Sequence, residues 1–149
     1  MADRTQESRN IARDERGSAA IEAVVVGPAV VLLLGLVIFG GRVALAHQTV
    51  QSVAADTARA ASLERTTSRA RTAATTAAEV GLRQQLPCST HQLQLDLNGF
   101  RVPPGTPAAV SAHVTCRVSL SDLALPGLPG DITIQATMTS PLDTYRARR

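Results

Sequence analysis

The hydropathy pattern is dominated by one apolar run that has no charged residue between Glu22 and Arg42. The run is about as long as the ~20 residues that a helix needs to cross the hydrocarbon core of a bilayer. It lacks the alternation of a barrel strand, and a helix satisfies its own backbone polar groups in lipid. We therefore predict one transmembrane helix, residues 18–46, preceded by a short polar leader, residues 1–17.

The helical period continues beyond the apolar run, but it becomes amphipathic. Residues 47–86 are rich in Ala, Thr and Arg, and they predict a helical rod that continues the transmembrane helix. A break is allowed near residues 63–68, where Thr and Ser make poor helix interiors, and Gly81 and Pro87 are expected to end the rod. The positions at helical spacing are Val50, Val53, Ala54, Thr57, Ala58 and Ala61.

The period changes to two in residues 87–141, which we predict to form a small exported β-domain. Three alternating sets share an apolar face: Leu93 to Leu97, Val110 to Leu120, and Ile132 to Met138. Three such strands predict an antiparallel meander packed against the helix. The fold class is therefore α+β, a long N-terminal helix followed by a three-stranded antiparallel sheet. Residues 120–130 read as a loop and residues 142–149 as a flexible tail.

Composition and motifs point away from catalysis and from nucleic acids. Aromatic residues make up only 2% of the chain, so Ala, Val, Leu and Thr must fill a thin core. The basic residues are all Arg, and they are scattered without aromatic stacking platforms, which does not favour nucleic-acid binding. The chain has no Walker, HExxH, GxSxG, CxxC or GxGxxG motif, and no His has a carboxylate at ligand spacing. We expect neither enzymatic activity nor a cofactor or metal.

The leader carries most of the positive charge that flanks the apolar run. It contains Arg4, Arg9, Arg13 and Arg16, whereas only Arg42 and Arg59 follow the run closely. Since Arg and Lys near a span favour the cytoplasmic side, we predict a cytoplasmic leader and an extracytoplasmic C-terminal part in a single-pass protein. The leader lacks apolar periodicity and is expected to be disordered.

Two cysteines, Cys88 and Cys116, follow the apolar run. If this part is exported, an oxidising compartment favours a disulfide between them. Cys116 points into the core by strand parity and Cys88 lies at the end of the helical part, so the bond would connect the helix to the central strand. The alternative is two free buried thiols.

The boundary between the leader and the apolar run is unusual. Gly17 and Ser18 stand at the edge, and Glu22 lies at the start of the apolar segment. A carboxylate inside such a segment is costly and marks a functional residue, although Glu22 would also be favourable in a first helical turn. Gly17, then Ser18 as a new first residue, then Glu22 as the fifth, resembles the processing site of type IV prepilins.

Residues 16–62 resemble the TadE/TadG-like family of the tight-adherence (Flp) pilus system. The shared features are an acid after small residues, a proline early in the span, glycines near its end and an Ala-rich helix; here these are Glu22, Pro28, Gly40, Gly41 and Ala58-Arg59-Ala60-Ala61. The chain has Ala23 where family members often carry Phe or Tyr. Pro28 is expected to kink or locally break the helix.

The resemblance implies a pilin-like architecture and a bacterial membrane-anchored minor pilin, or pilus assembly protein, of a type IV pilus. The leader would be removed by a prepilin peptidase, and the partners would be the bilayer, other pilins and the assembly platform proteins. Glu22 would act in assembly.

Two other hypotheses remain open from the sequence. Ala44-Leu45-Ala46 is an A-x-A site, so a signal peptidase could release a secreted or anchored binding protein by cutting after Ala46. The apolar run is longer than a usual signal h-region, and Arg42 lies just before that site, both of which disfavour it. A small exported enzyme has no positive support.

Overall fold

A computed structural model describes residues 4–86, 88–119 and 130–145, with side chains from Val24 onward. The predicted loop at residues 120–130 and the end of the predicted tail, residues 146–149, lie almost entirely outside these ranges. The chain divides into two compact units, residues 1–40 and 41–149.

The described elements are two α-helices, three strands and a short 3-10 helix. Their bounds are α1 Arg4–Leu63, α2 Thr67–Gln85, β1 Cys88–Asp96, the 3-10 helix Asn98–Arg101, β2 Ala108–Ser119 and β3 Asp131–Leu142. The strands form one sheet in the order β1-β2-β3 with antiparallel neighbours. The predicted α+β class and the three-stranded antiparallel meander are confirmed.

The leader differs from its prediction, because α1 begins at Arg4. Residues 1–17 contain no proline, and most of them, including several Arg, Glu and Ala residues, have fair to high helix propensity. Extending an existing helix by such residues is far less costly than nucleating a new one. The leader therefore continues the helix of the apolar run.

The helical part after the apolar run folds back on itself at residues 64–66. The Thr66 side chain caps α2 by accepting a hydrogen bond from the Arg69 backbone N–H at 3.3 Å. Thr66 was predicted as a poor helix interior residue, and here it starts a new helix. The break allowed near residues 63–68 is therefore present, and residues 47–86 belong to two helices instead of one rod.

The core lies between the helices and one face of the sheet, in two clusters. The first cluster contains α1 residues between Ala46 and Ala54, Leu82 of α2, and Cys116, Val118 and Ile134 of the sheet. The second cluster joins Ala61 to α2 and to the other end of the sheet, through Ala70, Ala74, Leu97, Phe100, Val110 and Leu142. The two helices therefore run antiparallel, and both cover the sheet.

The helical positions predicted to share a face are almost completely buried. Val50, Val53, Ala54, Thr57, Ala58 and Ala61 are each at most 1% exposed. The buried Thr57 hydroxyl donates to the Val53 carbonyl at 2.7 Å, so it leaves no unpaired polar group in the core. The core consists mainly of Ala and Val, as the composition predicts.

Gly81 lies inside α2 and does not end the helix as predicted. A Cβ atom added at Gly81 would lie 2.9 Å from Cγ2 and 3.3 Å from Cγ1 of Val53 on α1. The absence of a side chain lets the two helices approach closely at this point. Gly81 is therefore a packing residue, and the helix continues to Gln85.

The sheet extends further than predicted at both ends of the domain. β1 begins at Cys88, well before the first alternating set predicted from Leu93 to Leu97, and has a register irregularity between Cys88 and Thr90. β3 ends at Leu142, which was assigned to the flexible tail but is buried in the second cluster. Thr144 also accepts a hydrogen bond from the Gly105 N–H at 2.7 Å, and Gly105 has φ +92, a conformation that favours glycine.

A disulfide joins Cys88 to Cys116, whose Cα atoms are 5.6 Å apart. This is the pair that the sequence predicts. Cys116 is fully buried on the central strand, and Cys88 packs against the first cluster just after α2. The bond therefore links the beginning of β1, just after α2, to the central strand β2.

We predict that Gly81→Ala destabilises the folded domain and that Val53→Ala reverses the effect. The clash in the single variant should exceed the gain in helix propensity, for a net loss of about 1 kcal/mol. In the Val53→Ala background the same change should become neutral or stabilising by up to ~1 kcal/mol, because the added methyl fills the space. Denaturant titration of the detergent-solubilised chain, followed by circular dichroism, measures both. Additive effects in the double variant would contradict the contact.

We also predict that the paired replacement Cys88→Ala/Cys116→Ala lowers the free energy of unfolding by about 3 to 4 kcal/mol, because the bond closes a loop of roughly 29 residues in the unfolded chain. Adding a reductant to the parent chain should give a loss of similar size. The same reductant should leave the double variant unchanged. A parent chain whose unfolding is insensitive to reductant would argue against the bond.

Candidate functional site

The residues predicted for processing and assembly lie together on α1. Gly17, Ser18 and Glu22 all fall within this helix, outside the part whose side chains the structure describes. Residues four apart on a helix lie on one face, about 6 Å apart along the axis. The backbone therefore places Ser18 and Glu22 one turn apart at the edge of the apolar run.

The apolar run has no protein partner in the described structure. Every large hydrophobic side chain from Val24 to Ile38 is between 46% and 73% exposed. An 18-residue window of this helix has a mean hydropathy of 2.6, and none of it is buried. Consecutive residues cover all sides of a helix, so the segment is apolar all round, which is the property of a helix surrounded by lipid or by other helices.

Pro28 lies within α1, and the helix continues through it. The alternative of a local break at Pro28 is therefore wrong, and a kink there stays a prediction. Pro28 has no N–H to donate to the carbonyl of Val24. Added Cβ atoms at Gly27, Gly40 and Gly41 would meet nothing within 4 Å, so packing against the described residues does not require these glycines.

The burial of the α1 side chains changes after Arg42. Ala46 is only 5% exposed and begins the buried stripe that continues to Ala61. One helix thus supplies first an exposed apolar segment and then the helical layer of the small domain. The interval between them is only a few residues long.

The sheet presents a polar face on the side opposite the helices. Its side chains are mostly uncharged Thr, Gln and Ser, arranged in rows across the three strands by the register. His113 lies in this face, where its Nδ1 is 2.7 Å from Thr137 Oγ1. Arg117 forms an ion pair with Asp131 at 2.7 Å across two neighbouring strands.

The described side chains include no group of three or more His, Cys, Asp and Glu that could hold a metal ion. The sites that the structure does bring together are the disulfide pair and the α1 segment that carries Gly17, Ser18 and Glu22. The uncharged edges of the sheet were not singled out from the sequence. Their signal was present as two strand segments, residues 89–95 and 132–142, without Asp, Glu, Lys or Arg.

Comparison with known protein families gives a match to the N-terminal part of the chain. A family described as TadE-like protein matches residues 17–59, which is less than a third of the chain. The matched segment begins at Gly17, includes Glu22 and Pro28, and ends within the buried part of α1. No curated protein and no solved structure matches the chain.

This match confirms the resemblance seen in the sequence. Residues 17–59 are similar to the TadE-like family, which suggests involvement in Tad pilus assembly, and they lie on a helix long and apolar enough to cross a membrane.

Proposed function

We propose that this chain is a minor pilin or pseudopilin-like subunit for assembly of a Tad/Flp-type IV pilus. Its leader is cytoplasmic and its small domain lies outside the cytoplasmic membrane of a bacterium. A prepilin peptidase cuts after Gly17, and the processed chain then packs beside other pilins at the assembly platform. In this proposal the protein is a structural subunit and not an enzyme.

The observation that carries the proposal is the TadE-like match, which begins at Gly17. The matched segment continues through an exposed apolar helix into the core of a small disulfide-bonded domain. This combination supports a subunit that is stored in the membrane by its helix and presents a compact domain to neighbouring subunits.

The burial of Ala46 disfavours the alternative of a secreted binding protein. A signal peptidase that cut after Ala46 would remove this core residue and would leave the domain to start at His47, inside α1. The mature protein would lose one buried side chain and the preceding helical turn. The anchored form keeps both.

The chemistry of the processed end explains a role for Glu22. Cleavage gives Ser18 a free α-amino group, which is mostly protonated at neutral pH. A helix that packs among other helices in a water-poor assembly cannot leave either that cation or the Glu22 carboxylate unpaired without a large cost. Pairing the two charges between neighbouring subunits lowers this cost and would set the register of one helix against the next.

The first test of the proposal is the N-terminus of the mature protein. We expect mass spectrometry of protein from cells that contain the peptidase to find Ser18 as the first residue. Gly17→Leu should abolish this product, because a large side chain replaces the smallest one at the cut. Gly27→Leu is the matched control: it adds the same side chain where nothing lies within 4 Å, and it should be processed normally.

Two results would overturn this part of the proposal. A first residue of Met1 or Ala2 in peptidase-containing cells would exclude cleavage after Gly17. A first residue of His47 would instead support the secreted alternative.

The second test concerns Glu22. We expect Glu22→Gln to leave expression, membrane insertion and cleavage largely intact but to reduce pilus number to the level of a deletion strain, since the argument requires the charge. Glu79→Gln on α2 removes an exposed charge by the same change and should have no effect. Counting pili by electron microscopy measures the effect of both variants. Normal pilus numbers with Glu22→Gln would reduce Glu22 to a favourable acid in the first turn of the span.

A further inference from the structure

The two edges of the sheet lack the charges that usually protect edge strands. β1 and β3 are the edges, since the order is β1-β2-β3. β3 has no charged residue after Asp131, and β1 has no Asp, Glu, Lys or Arg before Asp96. Soluble proteins usually block long edges with charges, prolines or bulges, because unpaired N–H and C=O groups are a template for another strand. Here Pro141 and the irregularity at Cys88 lie only at the ends.

The membrane anchor restricts how two copies of this chain can pair. Ala46, which follows the apolar run, belongs to the first core cluster, against which Cys88 and Ile132 at the beginning of β1 and β3 also pack. The five residues 42–46 span at most about 18 Å even when fully extended. Copies anchored with the same orientation in one membrane can be related by translation in the membrane plane or by rotation about the membrane normal.

Pairing of identical edges meets this restriction only in special arrangements. An antiparallel β3–β3 pair has its two-fold axis perpendicular to the sheet, so it requires both sheets to lie flat on the membrane. A parallel β3–β3 pair would turn one sheet over, so that residues such as Ile134 on the apolar face would stand beside polar residues such as Thr137. Cross-strand neighbours of unlike character do not stabilise a sheet.

Pairing of β3 with β1 of a second copy meets both restrictions. β1 and β3 each pair antiparallel with β2, so they run in the same direction. A second copy placed beside the first by translation then forms a parallel β3–β1 pair, with all Ala46 ends on one side and the polar faces continuous.

The facing residues are compatible when the copies are at the same height. Gln92 and Gln135 are each paired with Thr115, and Gln94 and Thr137 with His113, so translation brings Gln135 beside Gln92 and Thr137 beside Gln94 of the next copy. All four side chains are exposed and uncharged, and they can hydrogen-bond across the pair. We infer that the β3 edge binds the β1 edge of a second copy of this chain, so that copies add side by side in the membrane.

The test places charges on the two edges of the full chain in detergent micelles. One variant carries Lys on both edges (Gln135→Lys and Thr137→Lys on β3, Gln92→Lys and Gln94→Lys on β1). The other carries the same Lys pair on β3 and Glu at both β1 positions. Sedimentation equilibrium gives the association constant, and circular dichroism checks the fold.

We expect the Lys/Lys variant to associate at least about tenfold more weakly than the Lys/Glu variant, because like charges face each other only in the former. A third variant separates this local effect from net charge, since it carries four Lys on α2, at the exposed positions Thr67, Ser68, Thr72 and Thr76. It should associate like the parent.

Equal association of the two edge variants, or a parent chain that stays monomeric at every soluble concentration, would overturn the inference. Association that weakens equally with the α2 lysines would do so as well. None of these outcomes depends on cleavage after Gly17, so the inference and the proposed function can fail separately.

Discussion

In hydrocarbon, every backbone polar group must find its partner within the chain, and this requirement determines the first half of α1. From Val24 to Ile38 the helix presents large apolar side chains on all sides, and no described residue covers them. After Arg42 the same helix meets a different requirement, because one stripe must pack against a sheet while the other side faces water. Along the helix, large apolar side chains on all sides are followed by small apolar side chains on one side, and the helix is not interrupted.

The small side chains of that stripe have a consequence for the domain. Ala46, Ala54 and Ala58 let α1 approach its neighbours closely, but each buries little apolar area, so the hydrophobic term per residue is modest. Domains of this size with a thin core depend more on cross-links and on close steric fit. The disulfide at Cys88, and Gly81 against Val53, supply these two contributions at the same end of the core.

Periodicity was enough to predict the apolar helix, the buried stripe of α1 and the three alternating strands, because each follows from local spacing. The folding back at Thr66 was not predicted, since a capping residue and a poor helix interior residue look alike until the tertiary contacts decide between them. Gly81 was wrongly predicted to end the helix for the same reason, because its packing role depends on the tertiary contact with Val53. Phe100 anchors the second cluster from a 3-10 turn, where no periodic pattern marks it. On the site, the residue types at Glu22, Pro28 and Gly40 supplied the TadE resemblance, whereas the relation between the sheet edges required the topology.

A meander of three strands has edges that run in the same direction, and this fixes the kind of contact that anchored copies can make. Translation in the membrane plane brings β3 beside β1 as a parallel pair, which is slightly less stable per residue than an antiparallel one. A fourth strand would have made the same contact antiparallel and tighter. In the proposed arrangement, the three-stranded sheet therefore gives neighbouring copies an edge contact that is slightly weaker per residue than an antiparallel one, which favours association that can be reversed.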